Sequence, residues 1–577
     1  MRVTRVALIS TLTYLFSLLF ISVPSAFSAT PAPGNDAGVQ GERFRSESEQ
    51  RKAEFTAKKR EAPKIESEGE GVPPVTPGIR FVLKGVTIDG NTLLNPSEIV
   101  SAYLIYMDRW VTDKEVYDIA KKIDIIYKSK GYITSNVYVP EQDIKDGNIV
   151  IGVVEGKVGD ITVEGNKWFS KEYFTKKFRP LKKNKVFNAK EFQEILLRFN
   201  KNSDLDVKTV IKKGAKEGTS DVVLKVNDKF PWHVGGGFDD QGTRLVGKYR
   251  ELITARSSNC FGFGDSFYTS TLFSKGSTGE NLSYSSPVDD YGTNVGIDFT
   301  LFDTTLGEEF KPLHVKSRFQ SYTPYISWQL YLSEVMEMRM DTGFDVKSTV
   351  KRNLGTVTTN EELRLPYLSF DMNFIDSFGG YTDIKPKVSC GTQDFLGASA
   401  KGNDLASRLG TDRDFLKYEH AVSRYQRMPL DSYMTIAHHL QTSNYSLPSS
   451  EQFQLGGMNS VRGYPEGDYM CDIGANLNMD WYFPFYPAPK GWNIPFTKQS
   501  IRDAINPFVF FDAGTGKLVD TLPGELKSKF LMGYGSGLRF KLYNNVSCKM
   551  LWAAPAGERP AHGDGPSTFY FTVNAES

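Results

Sequence analysis

The chain has 577 residues and a formal net charge of +1, with a mean hydropathy of −0.35. That length allows several domains, the charge gives no argument for nucleic-acid binding, and the hydropathy is far below that of a helical membrane protein. An aromatic content of 13% with 51 glycines fits strands that are apolar on one face only, as in a membrane β-barrel.

The N-terminus reads as an export signal over residues 1–28. Arg2 and Arg5 precede an apolar stretch from Val6 to Pro24, and Ala26-Phe27-Ser28 places small residues where a signal peptidase cuts. Beyond it, no segment reaches the ~18 consecutive apolar residues of a spanning helix. Residues 42–62 lack Gly and Pro and are charged almost all round. Glu47 precedes Arg51, and Glu54 precedes Lys58, at the spacing that supports a helix. A helix polar on every face needs wet surroundings or a polar channel; a disordered charged tail is the competing reading. Pro63, Pro73, Pro74 and Pro77 then mark a linker, so residues 29–77 form a helix-and-linker segment.

Residues 78–229 hold two copies of one unit. Val86-Thr87-Ile88-Asp89-Gly90-Asn91 recurs as Ile161-Thr162-Val163-Glu164-Gly165-Asn166, a strand ending in a glycine turn. In the first copy, Thr112 and Glu115 are spaced as a capping box, and Val116, Ile119, Ala120, Ile123 and Tyr127 line one helical face up to Gly131. Strands Tyr132–Val139 and Ile149–Glu155 follow. The second copy has a helix at Phe192–Phe199 and strands at Val207–Ile211 and Val222–Val226. The reading is two tandem α+β modules, 78–155 and 156–229, with Tyr132–Val139 and Val222–Val226 as candidate free edges.

Residues 230–577 give about 22 residues per strand plus connection if the barrel has sixteen antiparallel strands. Ile326, Trp328, Leu330 and Leu332 alternate with Ser327, Gln329 and Tyr331. Val295, Ile297, Phe299 and Leu301 alternate with Asp298 and Thr300. Ile473, Ala475, Leu477, Met479, Trp481 and Phe483 alternate with Gly474, Asn476, Asn478 and Asp480. Charge on the second face points to a polar lumen; a soluble sandwich shows similar alternation and is the competing reading.

Two motifs stand out. Gly456-Gly457-Met458-Asn459-Ser460-Val461-Arg462-Gly463-Tyr464 puts a lone Arg at the tip of a glycine-rich loop, 446–468. Phe510-x-Asp512-x-Gly514 puts a lone Asp in an aromatic strand, where an ionised carboxylate facing lipid costs a few kcal/mol and so points inward. An inward-folded loop would bring Arg462 to Asp512, and a guanidinium binds a carboxylate through two parallel hydrogen bonds that Lys cannot reproduce. From the tripeptide alone, an Arg on a solvated outer loop is the favoured reading.

With these motifs in hand, the chain resembles the two-partner-secretion outer-membrane transporters (TpsB), the haemolysin-activator and filamentous-haemagglutinin-transporter family. Val461-Arg462-Gly463-Tyr464 resembles its inward loop tip, Phe510, Asp512 and Gly514 its wall motif, Asn259–Asp265 its early barrel turn, and the paired modules its two POTRA domains. The resemblance implies that residues 42–62 plug the pore. It also implies a location in the bacterial outer membrane with the POTRA domains in the periplasm, insertion into lipid by barrel-assembly machinery, and a large secreted exoprotein as partner. The implied function is export of that unfolded exoprotein, with a barrel-assembly factor or a passive porin as alternatives. Two features depart from the family pattern: six residues follow the aromatic Phe569-Tyr570-Phe571, and Pro487–Pro507 is long for a periplasmic turn.

No enzymatic activity, cofactor or metal site is expected. The sequence has no H-E-x-x-H, Walker A or G-x-S-x-G motif. Gly533-Tyr534-Gly535-Ser536-Gly537 reads as small residues in a barrel wall, and His438-His439 as structural. Cys260, Cys390, Cys471 and Cys548 lack metal-ligand spacing and read as isolated barrel-strand residues.

Overall fold

The computed structural model describes residues 33–56, 65–67, 78, 80–181, 185–400, 402–411, 414–495, 497–542, 545–560 and 567–577. The expected export signal lies outside these residues. Helix α1 runs Ala37–Thr56, so it starts before the expected 42, and residues 57–62 lie outside the described set. The Gly38 N–H donates to Asp36 Oδ1 (2.8 Å) at its start. Gly41 lies inside the helix, at a position where only glycine fits. A Cβ there would lie 2.3 Å from the Phe319 ring.

Part of the expected linker is a strand. β1 (Ile65–Ser67) pairs in parallel with a strand of the second module, Ile65 opposite Thr209 and Ser67 opposite Ile211.

The first module comprises β2 (Arg80–Val82), β3 (Gly85–Asp89), α2 (Pro96–Tyr103), β4 (Trp110–Thr112), α3 (Asp113–Ser129), β5 (Asn136–Tyr138) and β6 (Asn148–Val154). The capping box at Thr112 and Glu115 is formed in both directions. Hydrogen bonds from the Thr112 hydroxyl and N–H hold the Glu115 carboxyl below its usual range. The buried face of α3 is Val116, Ile119, Ala120, Ile123 and Tyr127, packed on Ile149 and Ile151. Gly131 ends the helix at φ +98°, a conformation that costs glycine little. The sheet order is β3-β6-β5, so an edge does lie within Tyr132–Val139, as the three residues of β5.

The second module comprises β7 (Lys157–Glu164), α4 (Lys171–Lys177), α5 (Ala189–Asn200), β8 (Leu205–Lys213) and β9 (Thr219–Asp228). Its core is aromatic, with Phe169, Phe174, Phe178, Phe187, Phe192 and Phe199 buried together. The sheet order is β1-β8-β9-β7. Val222–Val226 therefore lies inside the sheet and is not a free edge. It pairs with β7 on one side and β8 on the other, and β1 covers the outer side of β8.

From Trp232 the chain closes a sixteen-stranded barrel. Its strands begin with β10 (Trp232–Asp239), β11 (Arg250–Ser257), β12 (Ser266–Ser274), β13 (Ser277–Pro287), β14 (Asn294–Thr305), β15 (Lys316–Leu332), β16 (Met336–Asn353), β17 (Thr356–Ile375), β18 (Gly380–Gly391), β19 (Phe415–Arg427) and β20 (Tyr433–Ser443). A short hairpin, β21 (Phe453–Leu455) with β22 (Tyr469–Cys471), leaves the wall here. The wall resumes with β23 (Ile473–Tyr482) and, after a turn of helix α6 (Ile501–Ala504), continues with β24 (Ile505–Lys517), β25 (Ser528–Leu542), β26 (Val546–Pro555) and β27 (Thr568–Glu576). All wall pairs are antiparallel, and β27 closes on β10 with Gly235 opposite Glu576. The six residues after Phe571 are thus mostly closing strand.

Outward residues such as Val509, Phe511, Tyr534 and Trp552 stay exposed as large apolar groups, as lipid-facing positions do. One alternation fails. In β15 the register shifts between Gln329 and Tyr331, so Tyr331 is exposed and Leu332 buried, the reverse of simple period-two counting. The cysteines are all free thiols, but only Cys390 and Cys548 lie in wall strands. Cys260 sits in the β11–β12 turn, and Cys471 is in the inward hairpin.

Candidate functional site

The loop between β20 and β23 folds back into the barrel. Its tip residues Val461, Arg462 and Tyr464 are buried. Along β24, Asn506, Phe508, Phe510, Asp512 and Gly514 form the inward face, and Asp512 has no exposed surface. Arg462 meets Asp512 through two side-chain bonds, Nε to Oδ2 and Nη2 to Oδ1, both 2.7 Å. Its backbone N–H adds a third at 3.0 Å, and its guanidinium lies 3.7 Å from the Phe510 ring centroid.

Asp480, on the neighbouring strand, is a second carboxylate partner. It accepts from Arg462 Nη2 at 2.5 Å, from Lys549 Nζ at 3.1 Å and from the Tyr482 hydroxyl at 2.9 Å. Asn478, directly opposite Asp512 in the register, donates to Asp512 Oδ1 at 2.9 Å. Every buried charge here has a partner, as burial in low dielectric requires.

Glycines make the approach possible. A Cβ at Gly463 would lie 2.8 Å from the Ala554 carbonyl carbon, and one at Gly514 would lie 2.8 Å from both Leu455 and Val461 side chains. Gly456 and Gly457 turn the loop at φ +97° and +101°. Tyr464 fastens the tip, its hydroxyl donating to the Glu558 carbonyl (2.8 Å), while Tyr570 donates to the Tyr464 carbonyl (3.1 Å).

Sequence reasoning passed over Asp480, Asn478, Lys549 and Tyr570 as functional partners and treated Gly533, Gly535 and Gly537 as plain wall. Those three glycines pair with Asp512, Phe510 and Phe508. A Cβ at Gly533 would lie 2.0 Å from the Arg462 carbonyl oxygen, and one at Gly535 would lie 2.6 Å from the Phe510 ring. The signal was available as a glycine at every second position beside the aspartate strand.

Higher in the loop, Glu451 bridges Lys347 on β16 (2.6 Å) and Lys417 on β19 (2.7 Å). Asp468 meets Lys529 on β25 at 2.5 Å. Helix α1 occupies the lumen beside the loop. Arg43 pairs with Glu466 (3.1 Å), Arg45 with Asp345 (3.2 Å) and Glu47 with Arg250 (3.2 Å). Phe44 is buried against Phe302, Phe319 and Leu272.

A closed sixteen-stranded barrel carrying α+β modules, a lumen helix and an inward loop is the architecture of an outer-membrane β-barrel protein with its modules in the periplasm. Residues 218–540 match the family described as haemolysin secretion/activation protein ShlB/FhaC/HecB, and residues 81–156 match the POTRA domain, ShlB-type. The chain belongs to this family of two-partner-secretion (TpsB) transporters. It is 23% identical over 486 residues to the heme/hemopexin transporter protein HuxB of Haemophilus influenzae, spanning 80% of this chain and 81% of that protein. It is 24% identical over 430 residues to the outer membrane transporter CdiB of Dickeya dadantii, spanning 72% and 75%. Among solved structures, CdiB from Escherichia coli superposes with a TM-score of 0.72 at 19% identity, covering 96% of this chain and 100% of that one. BamA from Haemophilus ducreyi, lacking POTRA domains 1–3, superposes at 0.52 and 16% identity over 86% of this chain and 100% of that one.

Proposed function

We propose that this chain exports one large, unfolded partner exoprotein, a TpsA-like chain, from the periplasm through the barrel pore. Residues 78–155 and 156–229 are the receptor modules and 230–577 the conduit, inserted by barrel-assembly machinery after removal of residues 1–28. An extended substrate segment docks by strand addition or in a groove beside a module helix. Edge strand β5 is open to it, whereas docking on β8 requires β1 to leave. Helix α1 then vacates the lumen and the chain passes. Val461, Arg462, Gly463 and Tyr464, with Phe510, Asp512 and Gly514, hold the inward loop in its transport-competent pose.

The observation that carries this reading is Arg462, buried and bound to two wall carboxylates inside a lumen that also holds a polar helix. The test is secretion of the cognate exoprotein. Arg462→Ala should abolish it while the barrel still inserts, and normal secretion by that variant refutes the role. Deleting 78–229 should also stop secretion. Conductance unchanged by that deletion, together with no cognate exoprotein, would favour a passive porin. Loss of many outer-membrane barrels on depletion of the protein would favour an assembly factor.

A further inference from the structure

The contacts of the second module with the barrel include two periplasmic turns. Asn259 Nδ2 donates to the Trp168 carbonyl (3.4 Å). Tyr173 lies so close to the β11–β12 turn that a Cβ at Gly264 would be 2.2 Å from its ring. Lys177 Nζ donates to the Asp289 carbonyl (2.9 Å).

These contacts leave large apolar groups outside. Phe261 and Phe263 at the turn are each 66% exposed, and Trp168 is 52% exposed. The Phe261 ring stands 5.9 Å from that of Tyr284, next to the exposed, lipid-facing Leu282 of β13. The cluster is therefore continuous with the membrane-facing wall at its periplasmic rim, the height at which aromatic rings meet headgroups. The loop and helix α4 that make these contacts carry Lys167, Lys171 and Lys176, all exposed. Of the two modules, this one carries the basic excess. Residues 156–229 carry 18 Lys and Arg against 10 Asp and Glu, while residues 78–155 carry 9 against 11.

We propose that the membrane-proximal module rests on the periplasmic leaflet, with Phe261, Phe263 and Trp168 seated among headgroups and Lys167, Lys171 and Lys176 on anionic phospholipid phosphates. Such seating fixes the module beneath the pore mouth, so that a substrate held on it meets the lumen and not the open periplasm. Basic residues near an anionic surface act additively and within a Debye length, which favours lipid over a single acidic peptide site for lysines spread along a turn and a helix.

The test uses the full chain with its four cysteines changed to serine and a nitrobenzoxadiazole dye on Thr175→Cys, an exposed neighbour. It is reconstituted in phosphatidylcholine nanodiscs bearing a headgroup nitroxide, with or without phosphatidylglycerol. Quenching is expected, stronger with phosphatidylglycerol, and reduced in the double variant Phe261→Ser, Phe263→Ser. Lys171→Glu, a surface change that leaves the fold intact, should shift the ratio of lipid-bound to lipid-free module by at least about fivefold. Absence of quenching, or quenching indifferent to both phosphatidylglycerol and Lys171→Glu, overturns the proposal. A dye that responds to a soluble poly-glutamate and not to lipid also overturns it, and assigns the lysines to peptide binding.

Discussion

Arg462→Lys separates charge from geometry at the loop tip. The native guanidinium makes side-chain bonds of 2.7, 2.7 and 2.5 Å to Asp512 and Asp480 and lies over the Phe510 ring, 3.7 Å from its centroid. An ammonium keeps the positive charge but is a point donor on a flexible stem. It can hold one carboxylate well, and it forfeits about two of the three bonds and the close contact of the guanidinium with the ring. Hydrogen bonds to charged groups contribute about 1.5–3 kcal/mol each. The retained charge keeps both aspartates compensated, so the lower end applies, about 3 kcal/mol in all. That is roughly a hundredfold in the equilibrium between docked and released loop. Amide exchange reads it directly, because the Arg462 N–H itself donates to Asp512. In nanodiscs, peptides covering 458–466 should exchange roughly a hundredfold faster in the lysine variant, with peptides from β14 and β15 unchanged. Equal exchange in both proteins would refute the reasoning. The tip would then be held by the apolar packing of Leu455, Val461 and Tyr464, with the guanidinium incidental.

The glycine ladder gives a test that leaves both motifs intact. Gly533→Ala places a methyl 2.0 Å from the Arg462 carbonyl, where backbone must move. Secretion and loop protection should fall while barrel melting stays near native, and Ser536→Ala on the outward face serves as control. A fully secreting Gly533→Ala protein would refute the tight seating of the tip against β25. For the lumen helix, Phe44→Ala empties the pocket lined by Phe302, Phe319 and Leu272. Truncations of this kind cost about 3–5 kcal/mol in close-packed cores, so channel openings in planar bilayers should become frequent. Conductance indistinguishable from wild type would mean that the ion pairs alone retain the helix.

Much of this architecture is written in period and punctuation. The repeated strand-Gly-Asn segments, the Thr112–Glu115 cap and the alternating wall strands each carry a local signal that survives tertiary context. The signals that misled are those where a contact overrides local preference. Gly41 disfavours a helix locally, yet it lies inside one, and Phe319 leaves no room there for a side chain. Leu332 reads as outward, yet a bulge two residues earlier turns it in. Val222–Val226 reads as a possible edge, but sheet order is a long-range property. The loop site was legible as a pair, since one Arg and one Asp stood out against glycine and aromatic neighbours. Asp480 and Lys549 did not stand out, because a charge on the polar face of a barrel strand is the ordinary case.

Alternation also says which residues face inward without saying what they meet there. The polar face reads as a wet lumen, but in the structure it is a second core built from charges. Lys347 shows why helix and loop belong to one arrangement. It lies 3.0 Å from Glu42 of the helix and 2.6 Å from Glu451 of the loop. Arg43 of the helix in turn reaches Glu466 of the loop at 3.1 Å. Withdrawing the helix takes one partner each from Lys347, Asp345, Arg250 and Glu466; the first three keep Glu451, Lys387 and Asp239, so the full cost of about 3–5 kcal/mol for an uncompensated buried charge falls on Glu466. Water entering the vacated channel resolvates those groups and removes most of that cost. A charged interior therefore allows a lumen to be firmly filled and still be emptied, which an apolar core of the same volume would not allow, since apolar surface gains nothing from the water that replaces its partner.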